Sequence, residues 1–584
     1  MNNKWSTYSL TSEQKEQASN LSKELDISLI LSELLVLRGI TTFEEARSFF
    51  RPSLNNLHDP FLMKDMDEAV ARLNKALSIR EKILIYGDYD VDGTTAVSLV
   101  YGFLRQYTTN IGYYIPDRYS EGYGVSWQSI EFAKENGYTL VIALDCGIKA
   151  VDKVQKAKEY GIDFIICDHH TPDEQLPNAV AVLDSQREDC NYPYRFLSGC
   201  GVGFKLMQAF CISNEIPFEK LMNYIDLVVV SIGSDIVPIT GENRILAAFG
   251  LQKLNNNPSL GLKSIIDVCS MNGKAIDISD VVFKLGPRIN ASGRMRTGGE
   301  VVELLTTSNP EIAREKCSDI DSYNTERREV DKATTEHAKK KIIDSEKFED
   351  KKAIVIYNPE WNKGIVGIVA SRLAEEFHKP TIVLTKSPTN EELVSGSARS
   401  VQGYDLYAAI NSCRDLLENF GGHMYAAGLS LKEENLKIFK ERFENYVENT
   451  ILPEQLNPQL NIDCEIDFEE ITPKFLRILK QFSPFGPENM KPVFCTRNLI
   501  DYENKSRLIG KENTHLRLVL SNISGKNQQS GVAFRSDDMR NYDMQKILQH
   551  LQSGGKIDIC YTLEENTFNG LTNTQLMVKD IKMV

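Results

Sequence analysis

Asp88, Asp90 and Asp92 stand in the run YGDYDVDG (86–93), bracketed by Gly87 and Gly93. Asp145 lies in ALDCGI, the run Asp168-His169-His170 follows FIIC, and Asp235 lies in SIGSDIVP. Each of these acids follows an apolar, β-branched run. Carboxylates and imidazoles gathered at the ends of such runs are the donors that a pair of divalent cations takes. Two cations about 3.5–4 Å apart activate water for in-line attack on a phosphate ester. Oxygen-rich ligation with one or two imidazoles and no thiolate suits Mn2+ or Mg2+ better than a structural Zn2+. In the tandem His169-His170, one ring can ligate metal while the other holds a carboxylate or polarises a phosphate oxygen. An acid-rich turn alone is commonly just solvated, and a lone His is commonly structural. Recurrence at successive segments, and a tandem pair among only eight His, outweigh those plainer readings.

The elements that must position these groups are legible as alternation. Strand-like ILIYG (83–87), GYYIP (112–116), TLVIALD (139–145), FIICD (164–168) and AVAVLD (179–184) are continuous apolar runs. Helix-like TTAVSLVYGFLRQY (94–107), SWQSIEFAKENG (126–137) and KAVDKVQKAKEYG (149–161) fall between them. That pattern predicts a parallel sheet covered on both faces, whose strand carboxyl ends share one crevice. Asp88, Asp90 and Asp92 are expected on extended chain, where alternate residues point the same way, with Thr94 opening the helix. DLVVVSIGSD (226–235) is apolar and open in type, and Asp235 is expected at a further strand end.

Elsewhere, residues 1–50 are expected to be helical, and 311–346, charged and free of Gly and Pro, to be a solvated helix. AIVIYN (353–358), GIVGIVASRLAEEF (364–377) and TIVLT (381–385) begin a second α/β region. GSARS (396–400) and FGGHMYAAGLS (420–430) are expected as glycine-rich turns, and 432–449 as a helix. Short alternating runs such as LRLVL (516–520), GVAFR (531–535) and KIDICYTL (556–563) fit a small antiparallel barrel. At 584 residues the chain is too long for one core. Its 42% hydrophobic and 25% charged content is that of a globular protein. No run of about 18 apolar residues predicts a membrane span, and the opening segment lacks the basic-then-apolar order of a secretory signal. Eleven cysteines without a CxxC pair are expected as small buried hydrophobes in a reducing cytoplasm. The net charge of −14 counts mildly against a nucleic-acid partner, although local basic clusters set the field in a groove.

YGDYDVDG, ALDCGI, DHH and SDIVP resemble, in order, the motifs of the DHH phosphoesterase superfamily. The resemblance implies Asp90, Asp92, Asp145, His169 and Asp235 as metal ligands, with Asp88, Asp168 and His170 as close supporting or ligating groups. Catalysis would fall on Asp92, Asp145, His169 and His170, with two Mn2+ or Mg2+ ions. YIPDRYSEGYGV (114–125), LSGCGVGFKL (197–206), GPRINASGRM (286–295), YNTERRE (323–329) and WNKGIVGIVASRL (361–373) further resemble the RecJ-type exonucleases, which digest single-stranded DNA 5′→3′. GSARS and FGGHMYAAG resemble their DHHA1 domain, and FSPFGPENMKPVF (482–494) the entry to their OB-fold. WNKG departs from that family in carrying Asn362-Lys363 in place of His-Pro, and FGPENMKP departs from its glycine-asparagine-proline form. Neither departure touches a metal motif.

The fold implied is multidomain α/β. A helical segment (1–50) precedes a parallel-sheet DHH domain (51–260) and a helical connector (261–345). An α/β DHHA1 domain (346–450) and an OB-like β-barrel (455–584) follow. Arginine forks bind phosphate bidentately. With the family match, Arg118, Arg288, Asn290, Ser371, Arg372, Arg399, Gly421, Gly422 and His423 become the expected phosphate and nucleic-acid contacts. The hydroxyl of Ser397 adds a donor, and Tyr119 and Tyr123 are candidates for base stacking. Arg327 and Arg328 are expected as surface ion pairs. The family implies release of 5′-mononucleotides in DNA repair and recombination, single-stranded DNA as substrate, a helicase and a single-strand-binding protein as partners, and a monomer. A DHH–DHHA1 phosphodiesterase of short oligonucleotides or cyclic dinucleotides is disfavoured by length. A non-catalytic replication scaffold is disfavoured by intact Asp145, His169 and Asp235.

Overall fold

The computed structural model describes residues 3–344, 350–388, 390, 392–525, 527–535, 542–568 and 571–584. The chain divides into two units, one of 1–50, 333–482 and 491–584, the other of 51–332 and 483–490. A short first strand, β1 (Lys4–Thr7), precedes the predicted helices, which form at Ser12–Leu25, Leu29–Val36 and Phe43–Phe50.

The second unit is built on a five-stranded sheet of β2 (Ile83–Gly87), β3 (Ile111–Tyr114), β4 (Leu140–Leu144), β5 (Asp163–Cys167) and β6 (Ala181–Leu183). Its order is β3-β2-β4-β5-β6, and every pairing is parallel. Alternation explains why these strands are apolar throughout. Leu140, Ile142 and Leu144 enter one core with Val97, Val100 and Phe204. Val141 and Ala143 enter the opposite core with Ile130, Ala133, Val154 and Ala157. Successive side chains of each strand therefore bury on opposite faces. From β2 the chain crosses to β3 on one side, and from β4 to β5 on the other. Such a reversal opens a crevice at the strand carboxyl ends, and β2 and β4 end beside Asp88 and Asp145.

Two expectations about the acidic segments are corrected. Extended chain stops at Gly87, and the helix begins at Val91, not Thr94 (Val91–Leu104). Asp90 is its N-cap and accepts the Gly93 N–H at 3.0 Å, so Asp92 lies in the first helical turn instead of alternating along a strand. The tight link requires glycine, since a Cβ on Gly93 would stand 2.4 Å from the Asp88 carbonyl oxygen. Asp235 follows no strand. DLVVVSIGS belongs to the helix Ile225–Ser234, and Asp235 is its C-cap. That helix buries Ile225, Leu227, Val228, Val229, Val230 and Ile232. A helix buried on all sides gives the same apolar run as a buried strand.

In the first unit, a five-stranded sheet has the order β10-β11-β9-β8-β7, with β7 (Ile354–Tyr357), β8 (Thr381–Lys386), β9 (Leu393–Arg399), β10 (Leu417–His423) and β11 (Ala426–Lys432). Only β7 and β8 pair in parallel. GSARS is therefore largely strand β9, and FGGH and AAGLS are the strands of a hairpin, not turns. The glycines serve close strand packing: a Cβ on Gly396 would lie 2.2 Å from the Val383 carbonyl oxygen. The helices Val366–Phe377 and Leu436–Thr450 form as the periodicity predicts.

After β12 (Gln459–Ile462) and β13 (Cys464–Glu465) come β14 (Phe494–Asp501), β15 (Arg507–Ile509), β16 (His515–Ser521), β17 (Gln529–Ala533), β18 (Ile557–Phe568) and β19 (Leu571–Met583). The order β14-β18-β19-β17-β16 closes through a β14–β16 pairing, giving the expected barrel. It is not wholly antiparallel: β17 runs parallel to β19, and β13 parallel to β14. The N-terminus joins this region as well. β1 pairs in parallel with β12, and the Trp5 indole N–H donates to Asp580 at 2.8 Å. The helix Pro310–Ile343 spans the predicted charged segment. All eleven cysteines are free, and no helix among the described residues is long and apolar enough to cross a membrane.

Candidate metal centre and phosphate contacts

Asp92 is held by the start of a helix and by a neighbouring hydroxyl. Its Oδ2 accepts the Gly199 N–H at 2.7 Å, and its Oδ1 accepts the Cys200 N–H and the Ser231 hydroxyl, both at 2.7 Å. Gly199 begins the helix Gly199–Ser213, whose first N–H groups have no intrahelical acceptor and carry partial positive charge. A Cβ on Gly199 would stand 2.5 Å from the Asp145 Cβ. Glycine is thus what lets this helix end approach Asp92 and Asp145 together.

His169 lies among three carboxylates. Its Nε2 is 3.2 Å from Asp145 Oδ1, 3.6 Å from Asp235 Oδ2 and 3.8 Å from Asp92 Oδ2. Its carbonyl oxygen accepts the Gln186 side-chain amide. Asp145 has a left-handed backbone, φ 58°, a conformation that Asp tolerates better than most residues. Asp168 has a different part. Its Oδ1 accepts the His169 N–H at 2.8 Å, the His170 N–H at 3.2 Å and the His170 Nδ1–H at 2.7 Å, and its Oδ2 accepts the Ile148 N–H at 2.9 Å. With both oxygens occupied by protein donors, Asp168 shapes the histidine pair and leaves His170 Nε2 uncommitted to it.

The electrostatics follow from crowding acids in a largely buried crevice. Burial first, and the neighbouring acids second, push Asp88, Asp145 and Asp235 well above the usual carboxylate range. Asp92 is raised as well, again chiefly by burial. Burial lowers His169. In His170 burial acts the same way, but the Asp168 hydrogen bond and charge overcome it and bring the ring to about 9. A cation placed among these groups reverses the repulsion that holds protons on them.

The donor set fits such a cation. Among the described residues, the buried His169 Nε2 and Asp88 Oδ1 have no hydrogen-bond partner. Asp145, His169 and His170 form one trio of possible ligands, and Asp92, His169 and Asp235 another, with the donor atoms of each within 4.8 Å. The two trios share His169. The donors are carboxylate and imidazole throughout, the chemistry of Mn2+ or Mg2+. Of the other expected residues, Asp88 is buried directly after β2, and Asp90 is half-buried with one oxygen committed to the helix cap.

The expected phosphate contacts divide between the two units. In the sheet unit, the Arg118 guanidinium stacks 4.5 Å above the ring of Tyr89, which stands between Asp88 and Asp90. Arg288 is committed to structure: it pairs with Asp321 at 2.9 Å and donates to the Lys284 carbonyl at 3.0 Å. Asn290 lies on the same helix, Gly286–Met295. In the other unit, the Arg399 guanidinium donates to the Ser397 hydroxyl at 2.7 Å and the Ala398 carbonyl at 2.8 Å, and burial lowers its pKa. The helix that carries Ser371 and Arg372 packs on this strand, since a Cβ on its Gly367 would lie 3.2 Å from both Arg399 and Ser397. Ser371 donates to the Gly367 carbonyl at 3.1 Å. Gly421 and Gly422 pair with Gly428 and Ala427 across the β10–β11 hairpin, and His423 is exposed at its end.

Sequence reasoning missed the donors that hold Asp92. Ser231 stands four residues before Asp235, one helical turn away, and that signal appears only when 225–234 is read as a helix. The N–H groups of Gly199 and Cys200 have no side-chain signature beyond the small residues of LSGCGVG.

Family models match at 82–232 (DHH family, N-terminal domain), 350–449 (DHHA1 domain) and 462–580 (RecJ OB domain). The chain is 36% identical over 568 residues to the single-stranded-DNA-specific exonuclease RecJ of Bacillus subtilis (strain 168), covering 97% of this chain and 69% of that protein. It is 31% identical over 577 residues to the protein of the same name from Salmonella typhimurium, covering 95% of this chain and 96% of that one. The crystal structure of RecJ from Thermus thermophilus in complex with Mn2+ shares the fold, with a TM-score of 0.82 at 24% identity over 99% of this chain and 79% of that one. By domain order and by similarity over nearly its whole length, the chain belongs to the RecJ family of single-stranded-DNA-specific exonucleases.

Proposed function

We propose that the chain is a metal-dependent exonuclease that digests single-stranded DNA 5′→3′ and releases 5′-mononucleotides, with Asp92, Asp145, His169 and Asp235 as metal ligands and Asp88 and Asp90 beside them. The observation that carries the reading is the unpartnered Nε2 of His169, buried among the carboxylates of Asp92, Asp145 and Asp235 at the switch point of the sheet. Divalent cations at such a site supply an activated water and neutralise charge on the phosphate under attack. The chain's own groups do the rest. Gly199, Cys200 and Ser231 fix the Asp92 carboxylate, so the site needs little reorganisation when charge develops. Asp168 holds the proton on His170 Nδ1 and turns Nε2 away from itself. Arg118, stacked on Tyr89 beside Asp88 and Asp90, is the proposed contact for a terminal phosphate. Arg399, with Ser397, Ser371 and Arg372, is the proposed backbone clamp.

An enzyme confined to single strands needs duplex opened for it. A helicase is thus the class of partner the activity calls for, and a single-strand-binding protein the class that presents its substrate. A substrate panel with Mn2+ tests the reading: a 5′-phosphorylated single strand, its 3′-phosphorylated counterpart with a blocked 5′ end, a blunt duplex, and a dinucleotide. The expected result is mononucleotides from the open 5′ end of the single strand alone. Equal attack on the duplex, or a preference for the dinucleotide, contradicts it.

A further inference from the structure

The loop between β3 and the helix Trp127–Glu135 carries a tyrosine to the histidine pair, and the loop is built to hold it there. Tyr123 sits between Gly122 (φ 84°) and Gly124 (φ 79°), left-handed positions that side-chain-bearing residues occupy only with strain. The Gly124 carbonyl accepts the buried Tyr86 hydroxyl at 2.7 Å. The Glu121 carboxylate gathers the Tyr114 hydroxyl at 3.0 Å, the Asp117 N–H at 2.8 Å and the Ser126 hydroxyl. Asp117 in turn accepts the Tyr119 and Ser120 N–H groups at 3.0 and 2.8 Å. This is a fixed turn, not a free one.

At its tip, the Tyr123 hydroxyl lies 3.1 Å from His170 Nε2, 3.2 Å from Nδ1 and 3.5 Å from the Asp145 carbonyl oxygen. The ring centroids are 5.7 Å apart at 72°. Nearly equal distances to the two nitrogens put the hydroxyl against the imidazole and not in line with either atom. Asp168 grips the same ring through Nδ1 at 2.7 Å. An imidazole gripped by one bond can still swing about that bond, and a second contact removes the swing. Yet the tyrosine is 56% exposed, so burial of its ring does not explain its placement.

We propose that Tyr123 is a positioning residue: its hydroxyl, with Asp168, fixes the orientation of His170 for phosphodiester hydrolysis. The inference rests on the exonuclease reading and assigns to the hydroxyl a part distinct from stacking on a base. Outer groups that orient a histidine at a metal site are commonly worth about 10–100-fold in activity. Removing only the hydroxyl should lower kcat and leave KM nearly unchanged, because the ring and the binding surface remain.

The test is a double-mutant cycle on the full chain. Tyr123→Phe, His170→Ala and the double variant are assayed with Mn2+ on a 5′-phosphorylated single strand, beside wild type and Tyr123→Ala. Thermal melts of all variants establish folding. Tyr123→Phe is expected to lower kcat about 10-fold or more with KM within about twofold. In the His170→Ala background the same change should cost nothing further, since the two groups act as a unit. A fully active Tyr123→Phe alongside a Tyr123→Ala with raised KM overturns the proposal in favour of a stacking platform. An equal loss in both backgrounds overturns it too. If wild type itself leaves the single strand intact, the exonuclease reading fails instead, so the two failures are distinct.

Discussion

At the residue scale, the site depends on how closely backbone and carboxylates approach as much as on ligand identity. The sequence made the acids and the histidine pair legible because those residue types recur at the ends of apolar runs. It could not rank them. Asp168 reads like any other strand-end acid, yet its oxygens accept from Ile148 and from the histidine pair itself, whereas Asp92, Asp145 and Asp235 lie around the open Nε2 of His169. Gly199 is a sensitive small residue of the site. Gly199→Ala introduces a Cβ 2.5 Å from the Asp145 Cβ and must displace either the acid or the helix end that binds Asp92. A shift of about 1 Å at such a site costs on the order of 100-fold in rate. Steady-state kinetics should show that loss, while the far-ultraviolet circular dichroism spectrum stays that of wild type.

At the element scale, strands and helices of clear period were readable, and errors fell where a different physics governs. The segment at 225–234 is apolar because it is buried all round, and burial erases the difference between periods of 2 and 3.6. GSARS and FGGHMYAAG look like turns because they are glycine-rich, but their glycines let strands approach, as Gly396 does against Val383. The strand at Lys4–Thr7 was invisible because its partner, Gln459–Ile462, is hundreds of residues away. That pairing carries a prediction. Trp5 bonds to Asp580 at 2.8 Å and lies 4.0 Å beneath the Lys582 ammonium. Trp5→Ala should lower stability by about 2 kcal/mol, seen as an earlier transition in denaturant unfolding. An unchanged midpoint would mean that the strand adds nothing to the barrel's stability.

At the scale of the whole molecule, a net charge of −14 supplies no general attraction for a polyanion. Binding must come from local cations, and its salt dependence counts them. Each phosphate neutralised on a single strand contributes about 0.7 to the slope of log affinity against log salt. Arg399→Ala and Arg118→Ala should each reduce that slope by about this amount in fluorescence-anisotropy titrations with Ca2+ replacing Mn2+. Arg288→Ala should leave it unaltered, because Arg288 is spent on Asp321. Equal effects of all three would show that ion pairing in the free protein does not predict which arginines meet DNA. The domain order was legible in the sequence because each domain has its own motif block. The parallel pairing inside the barrel was not, because strand direction leaves no mark on composition. The most direct test of the central claim is the Mn2+-dependent release of mononucleotides from a 5′-phosphorylated single strand by His169→Ala, set beside wild type at matched thermal stability. Wild type is expected to release them steadily, and the variant none above background. A folded His169→Ala that keeps more than about a tenth of the wild-type rate would contradict the metal-centre assignment.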